Sequence, residues 1–445
     1  MGYQIRRSRT GYPKSHLDPI TVKILIVTAF YAPFIHPRAH RWTALAEHWA
    51  REGHEVQVLT ARVRGKGQWE VQQGVQVHRT GFDSLKEVYY YYFGSRRARG
   101  RVGVLPSRPG RAARVAAWVY SVCWKKVFFP DDACVWYFPA RRKLLTLLSK
   151  QQPDLLITVS LPFTSHWVGL AAKRRFPALR WLADIGDPFS FRIPPPNNLF
   201  LYDSRNKRLE LEVLLLADAV SVTTEATRQN YAQQFGNQLV GKMQVIPPLY
   251  QPAATEAPKT TFSKQDGLIR IGYFGALYRP TRTPEAFLNL LRQLPDEWQQ
   301  RLDIHFYGEI FPDIHDAFAL FPGIQLHGLQ SREQARAAMA DMDILLNIGN
   351  ATDFQLPSKA VDYLAAGKPV LHLSYTSSDP FADFFDGYEL IFNIPVENNR
   401  VQPDAVARML EWLEKPKKLP GKEELALRMA PYGVERVADS YLLSA

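Results

Sequence analysis

The sequence is poor in cysteine: Cys123 and Cys134 are the only two in 445 residues. Two thiols make neither a disulfide framework nor a CxxC metal knuckle, and they favour a reducing compartment. Long apolar runs are missing too. No stretch of about 18 apolar residues occurs, so no helix is expected to span a bilayer. The opening M-G-Y-Q-I-R-R-S-R-T is basic and lacks the apolar run of a signal peptide. No GxGxxG fingerprint is present, which argues against an NAD-type oxidoreductase. No His/Asp cluster has metal-ligand spacing, so no metal site is expected. What is present is a globular composition, 46% hydrophobic and 22% charged, with a formal net charge of +12. That excess of cations points to nucleotide phosphates, anionic lipid heads or nucleic acid as partners.

The length suits two or three domains. Val22 to Thr28 reads as a buried parallel strand. A helix from about Arg41 to Arg51 follows, with Trp42, Leu45, Ala46 and Trp49 on one face, and Gly53 ends it. Glu55 to Thr60 is the second strand and closes a β-α-β unit. The alternation resumes with strands at Asp154–Val159, Arg180–Ile185, Ala219–Thr224 and Met243–Ile246, and helices reaching Arg175, at Leu209–Ala217 and at Glu225–Phe235. A second array opens at Ile269. It passes through a capping box, Ser331 to Gln334, and ends in helices at Asp404–Glu414 and about Glu423–Leu443. The expected fold class is α/β: two facing doubly wound Rossmann-like domains with a cleft between them. The expected divisions are a basic leader (1–21), an N-terminal domain (22–250), a polar linker (251–267), a C-terminal nucleotide-binding domain (268–420) and a C-terminal helix (421–445) packing back on the first domain.

The stretch Asp353 to Leu373, D-F-Q-L-P-S-K-A-V-D-Y-L-A-A-G-K-P-V-L-H-L, organises the chain. Pro357 and Ser358 predict a helix start, with Ser358 as the cap. Gly367 and Pro369 stop the helix, and Val370, Leu371 and Leu373 form the strand behind it. A helix start offers free N–H groups and a positive dipole end to an anion. Lys359 in that first turn has two readings: a local partner for Asp362 three residues on, or a contact to a bound diphosphate.

Residues 84–130 break the rhythm. Tyr89 to Phe93 are aromatic. From Arg96 to Lys126 there are nine basic residues and no acid. Such a segment suits an anionic membrane surface, a solvated loop with an aromatic flank, or single-stranded nucleic acid. The absence of an RRM, KH or helix-turn-helix pattern argues against nucleic acid. The expected location is cytoplasmic, with peripheral attachment to the inner face of the cytoplasmic membrane if this segment docks there.

L-P-S-K-A-V-D-Y-L-A-A-G-K-P-V-L resembles the C-terminal signature of the GT-B glycosyltransferases, in particular the family 4 group that uses nucleotide sugars. A-F-Y-A-P-F-I-H-P-R-A-H-R-W-T-A-L-A resembles that group's acceptor-side loop and first helix. H-W-A-R-E-G-H-E-V-Q-V-L-T, L-A-D-I-G-D-P-F and I-G-Y-F-G-A-L-Y resemble further stretches of it. The resemblance spans the chain apart from 1–21 and about 84–130. It implies transfer of a sugar from a nucleotide diphosphate sugar to a glycan, lipid-linked or small-molecule acceptor. It further implies retention of configuration, no metal and no cofactor, the nucleotide sugar being a substrate. The readings held beside it are a GT-B subunit that has lost catalysis and serves as a binding scaffold, and a nucleotide-sugar epimerase.

The resemblance also implies roles. Asp362 stands where the group usually has the Glu that holds the ribose hydroxyls. Lys359 and Ser358 would lie near the diphosphate. Arg282 matches the cation that neutralises the leaving diphosphate, with Arg279 a second candidate. Ala276 replaces an arginine common in the group. Phe354 stands where an acid near the donor sugar is expected, and the adjacent Asp353 is the substitute. His36-Pro37-Arg38 replaces the usual Gly-Gly loop, Arg38 supplying charge in place of close backbone approach. His166, opening a helix after a strand, and Asp187, in A-D-I-G-D-P beside Asp184, are the catalytic candidates with Asp353.

Overall fold

In a computed structural model of the chain, the described residues are 21–34, 36–85, 87, 124–252 and 267–444. The basic leader, the aromatic run Tyr89–Phe93 with Arg96 to Arg114, and most of the linker lie outside them.

The N-terminal half forms an eight-stranded sheet. Its elements are β1 (Lys23–Val27), α1 (Pro37–Arg51), β2 (Glu55–Thr60), β3 (Trp69–Gln72), β4 (Val75–Arg79), α2 (Cys134–Lys150), β5 (Leu155–Val159), α3 (Thr164–Arg175), β6 (Trp181–Asp184), α4 (Leu199–Leu216), β7 (Ala219–Val222), α5 (Glu225–Phe235) and β8 (Met243–Val245). The strand order is β3-β4-β2-β1-β5-β6-β7-β8, and every pair is parallel except β3 with β4. The central strands β5, β6 and β7 are buried at every position. That is why they read as largely apolar runs rather than as alternations.

The second sheet has seven strands in the order β11-β10-β9-β12-β13-β14-β15. Its elements are β9 (Ile269–Phe274), α6 (Glu285–Arg292), β10 (Leu302–Tyr307), β11 (Ile324–Gly328), α7 (Arg332–Asp341), β12 (Ile344–Ile348), α8 (Ala360–Ala366), β13 (Val370–Ser374), β14 (Ile391–Glu397), β15 (Arg400–Val401), α9 (Pro403–Glu414), α10 (Lys422–Met429) and α11 (Val434–Ser444). The capping box is formed: Ser331 Oγ accepts from Gln334 N, and Gln334 Oε1 accepts from Ser331 N. Strand order reverses between β1 and β5 in one sheet and between β9 and β12 in the other. Ligands of open α/β sheets bind at such switch points, beyond the carboxyl ends of the strands.

Several boundaries differ from expectation. Helix α1 starts at Pro37, because His36 Nδ1 caps it by accepting from Arg38 N at 3.2 Å, and proline suits the first helical position. The long helix expected to run to about Leu443 is two helices, α10 and α11. Pro431 and Gly433 lie in the break, and proline clashes with a continuing helix. Helix α8 has Lys359 at its N-cap and no side-chain capping bond, so Ser358 is not the cap. Gly367 ends it as expected, at φ 61°. The β3–β4 hairpin turns on Gln73 and Gly74, both at positive φ. A two-residue turn of that kind favours Asn-Gly or Asp-Gly, so Gln-Gly gave little signal.

The chain ends against the N-terminal sheet. Tyr441 of α11 lies 5.0 Å from the Trp42 ring of α1. Its hydroxyl donates to Asp184 Oδ1 at 2.7 Å and accepts from Arg41 Nη2 at 2.9 Å.

Candidate active site in the interdomain cleft

On the N-terminal side the site is built from the ends of β1, β5 and β6. Asp184, the last residue of β6, is buried and accepts from Ser221 Oγ and Tyr441 at 2.7 Å each. Arg38 Nη1 pairs with its other oxygen at 3.1 Å. Burial pushes the Asp184 carboxyl up. Arg38, Arg41 and the two hydroxyl donors outweigh it and hold the group below its usual range. The Arg38 guanidinium crosses directly over Gly186, where a Cβ would lie 1.5 Å from Nη2. A side chain at 186 would displace the guanidinium from its present place between the two aspartates. His36 rests on the Phe30 ring at 4.7 Å. Burial, aided by the Arg38 charge, lowers its pKa to about 4, so its imidazole is neutral at pH 7.

Asp187 sits on a braced turn. Buried Glu210 of α4 accepts from Phe189 N at 2.8 Å and Ser190 N at 2.9 Å, and Tyr231 donates to it at 2.6 Å. The Asp187 carboxylate is thereby fixed at the mouth of the cleft.

On the C-terminal side the loops after β9 and β12 carry the cations. Arg282 Nε and Nη2 both donate to Asn350 Oδ1, at 3.1 and 2.6 Å. Arg279 is half exposed and already paired, with Glu285 and with Asp313. Asp362 is buried among three cations: Arg336 at 3.1 Å, Lys359 at 3.5 Å and Arg332 at 3.9 Å. One carboxylate does not neutralise three cations, so this corner keeps a surplus of positive charge. The local Lys359–Asp362 contact is thus present, which leaves the diphosphate role of Lys359 as a second use of the same side chain.

The two sides meet through hydrogen bonds. Asn350 Nδ2 donates to Gln355 O at 3.0 Å, and Gln355 Nε2 donates to Asp187 Oδ1 at 3.1 Å. A continuous chain therefore runs Arg282–Asn350–Gln355–Asp187 from the switch point of the second sheet to the loop after β6. Beside it, Thr224 and Thr227 donate to Phe354 O at 3.1 and 2.9 Å.

Residues 39–248 match the family model described as a glycosyl transferase 4-like domain. The chain carries a glycosyl transferase 4-like domain in a GT-B fold. No curated protein matches the sequence. Among solved structures, sucrose-phosphate synthase from Thermosynechococcus elongatus has a TM-score of 0.61 at 14% identity, covering 94% of this chain and 97% of that one. An Anabaena protein, HepE, in complex with UDP-glucose has a TM-score of 0.56 at 13% identity, covering 95% and 100%. An α,α-trehalose-phosphate synthase from Burkholderia xenovorans in complex with glucose-6-phosphate has a TM-score of 0.59 at 14% identity, covering 95% and 99%. At such identities these structures share the fold with this chain.

The GT-B cleft gathers most of the candidates and displaces others. His36, Arg38 and Asp187 come together beyond the first sheet, and Arg282, Lys359 and Asp362 beyond the second. His166 does not face the cleft. It is fully buried in the first turn of α3, with Nδ1 2.7 Å from Thr158 Oγ1, which also accepts from Trp181 Nε1. Burial lowers its pKa to about 3, with Asp184 and Arg38 acting on it from the site side, so it is a neutral, fully buried group. Arg279 is occupied by acids, unlike Arg282. Ser358 and Asp353 are exposed. Phe354 is buried, its ring 5.6 Å from Phe191. Sequence reasoning missed Asn350, Gln355, Arg332, Arg336 and Glu210. Arg332 and Arg336 carried a usable signal, being one turn apart at the start of a capped helix that faces the cleft.

Proposed function

We propose that the chain is a glycosyltransferase that moves a sugar from a nucleotide diphosphate sugar to a glycan, lipid-linked or small-molecule acceptor, with retention and without a metal. The observation that carries this reading is the Arg282–Asn350–Gln355–Asp187 chain from the switch point of the second sheet to the loop after β6. It sets a cation for a leaving diphosphate opposite a carboxylate for an acceptor hydroxyl. As the glycosidic bond breaks, negative charge grows on the diphosphate, and preorganised cations stabilise that charge more than the ground state. Arg282 and Lys359 supply them, with Ser358 beside Lys359. Asp362 receives the ribose hydroxyls on oxygens it shares with Arg336 and Lys359. Asp187 orients the acceptor, with Arg38 and His36 lining its side. The UDP-glucose of the Anabaena structure and the glucose-6-phosphate of the Burkholderia one support a UDP-sugar and a sugar-based acceptor as the first pair to try. We place the working chain in the cytoplasm, at the surface of an anionic membrane.

The scaffold reading is favoured by one observation. The Phe354 position spends its carbonyl on Thr224 and Thr227 and its ring on Phe191, so no acid serves the donor sugar there. A thermal-shift panel of UDP-, GDP- and dTDP-sugars, followed by assay of sugar transfer and donor hydrolysis, tests both. Donor-dependent stabilisation with turnover supports the transferase. Stabilisation with neither transfer nor hydrolysis supports the scaffold. No shift with any donor removes the nucleotide-sugar reading.

A further inference from the structure

Among the described residues, the N-terminus of α4 carries an exposed apolar surface. Phe200 is 95% exposed, Val127 52%, Leu201 48%, Ile193 42% and Leu199 38%. Tyr202 donates to Val127 O at 2.7 Å and Asn198 to Lys126 O at 3.2 Å, which ties residues 126–127 to the first turn of α4. Lys126 and Phe200 line the same open groove of about 570 Å³. Exposed apolar groups clustered at one helix tip mark an interaction site.

The charge around it selects the partner. Arg205, Lys207 and Arg208 are exposed along the next turns of α4, against one acid, Asp203, which pairs with Lys207 at 3.0 Å. At about 1.5 Å rise per residue they follow Phe200 by roughly 7–12 Å along the helix. Interfacial apolar groups sink about 5–10 Å below the headgroup boundary. Apolar tip and basic collar are therefore spaced as the acyl and headgroup layers are. A second copy of this chain would bring like-charged collars together, on a molecule of net charge +12. We infer that residues 126–127 and 193–208 form the surface that docks on an anionic lipid bilayer, with the tip of α4 inserted. This rests on the membrane-surface reading above and assigns it to particular residues.

The test uses the full chain and vesicles of phosphatidylcholine alone or in an equal mixture with phosphatidylglycerol. The wild type is expected to bind the mixture and to release as salt rises. The double variant Phe200→Ser, Leu201→Ser should lose roughly a hundredfold in partitioning, since each buried apolar side chain contributes about tenfold. Lys207→Gln with Arg208→Gln should bind with less preference for the anionic lipid and less salt dependence. All three proteins should bind UDP alike. Equal partitioning of the Phe200/Leu201 variant and the wild type overturns the surface. So does a wild-type dimer in sedimentation that this variant abolishes, because a second copy is then the occupant. Vesicle results as expected with no nucleotide bound by any of the three would leave the surface standing and remove the transferase reading instead.

Discussion

Replacing Asp362 by asparagine separates its structural use from its use by a ligand. The side chain is buried, and Arg336, itself only 14% exposed, reaches it at 3.1 Å. Lys359 and Arg332 are about twice as exposed and lie farther away, at 3.5 and 3.9 Å. Removing one partner of a buried pair costs about 3–5 kcal/mol, and exposed partners contribute much less. The change also leaves three cations facing one another with only the more distant Glu333 to offset them. We expect a loss of about 2–3 kcal/mol, which for a domain of this size is a fall in Tm of roughly 4–10 °C. Nucleotide affinity should fall as well, because a carboxylate accepts ribose hydroxyls more strongly than an amide does. Asp362→Glu keeps the charge and should retain or improve binding. Differential scanning fluorimetry and UDP calorimetry on the three proteins measure both effects. An Asp362→Asn protein that melts like the wild type would refute the three-cation account. One that melts lower yet binds UDP equally would confine Asp362 to holding Arg336.

Other outcomes follow from the cleft. Arg282→Ala or Lys359→Ala should weaken donor binding by roughly 1.5–3 kcal/mol through loss of a charge-assisted contact, while Arg279→Ala, whose charge is already spent on Glu285 and Asp313, should change it little; equal effects of all three in calorimetry would undo the assignment. Gln355→Ala cuts the link to Asp187 and should lower kcat more than it raises the donor Kd, which steady-state kinetics beside calorimetry would show. Transfer should persist in EDTA, and loss with recovery on adding Mg²⁺ or Mn²⁺ would contradict the proposed chemistry. His166 has a folded pKa near 3 against about 6.5 unfolded. The unfolded state therefore binds more protons below pH 6.5, and stability is lost as pH falls from there toward 3. At about 1.4 kcal/mol per unit, roughly 2–3 kcal/mol is at stake by pH 4.5. His36 and His78, both lowered to about 4, add to the slope over the same range, so His166→Gln should reduce it by that amount in urea titrations at pH 7 and 4.5, and an unchanged slope would place the histidine elsewhere.

The layered fold was legible because buried parallel strands announce themselves. Leu155–Val159 and Ala219–Val222 are buried at every position and carry one polar residue each, Thr158 and Ser221. The hairpin strands β3 and β15 were not legible. Half of β3 is exposed and its turn is Gln-Gly, while β15 is two residues long after an Asn-Asn turn at positive φ. At the site, spacing found the residues that lie in ordered motifs next to switch points, such as Arg282, Lys359 and Asp362. It could not find partners set by tertiary approach. Asn350 matters because Arg282 reaches it from 68 residues away. Glu210 matters because the turn at 189–190 folds onto it. His166 misled for a related reason. A histidine after a strand and at a helix start has the sequence context of a cleft residue, but this one is fully buried against the Thr158 hydroxyl.

The departure at Phe354 shows how one substitution can be absorbed. An acid at that position would stand ready to meet the donor sugar. Phenylalanine instead packs on Phe191, and its carbonyl takes hydroxyl hydrogen bonds from Thr224 and Thr227 of the opposite domain. The neighbouring side chain, Gln355, crosses the cleft to Asp187. The loop therefore spends on interdomain contact what an acid would have spent on sugar. Apart from the Phe354–Phe191 ring contact these bonds are polar, and interfaces of that kind between domains open readily. Donor binding then has to compete with them. A sugar whose hydroxyls replace the Gln355 bond to Asp187 would close the same gap, which links donor recognition to acceptor positioning through one amide. If that link operates, Gln355→Glu places a carboxylate opposite Asp187, and the two repel at short range. The closed arrangement should then weaken at pH 7 and recover as pH falls through the carboxylate range. Small-angle scattering of the two proteins across that range would show it, and identical profiles would confine Gln355 to a passive contact.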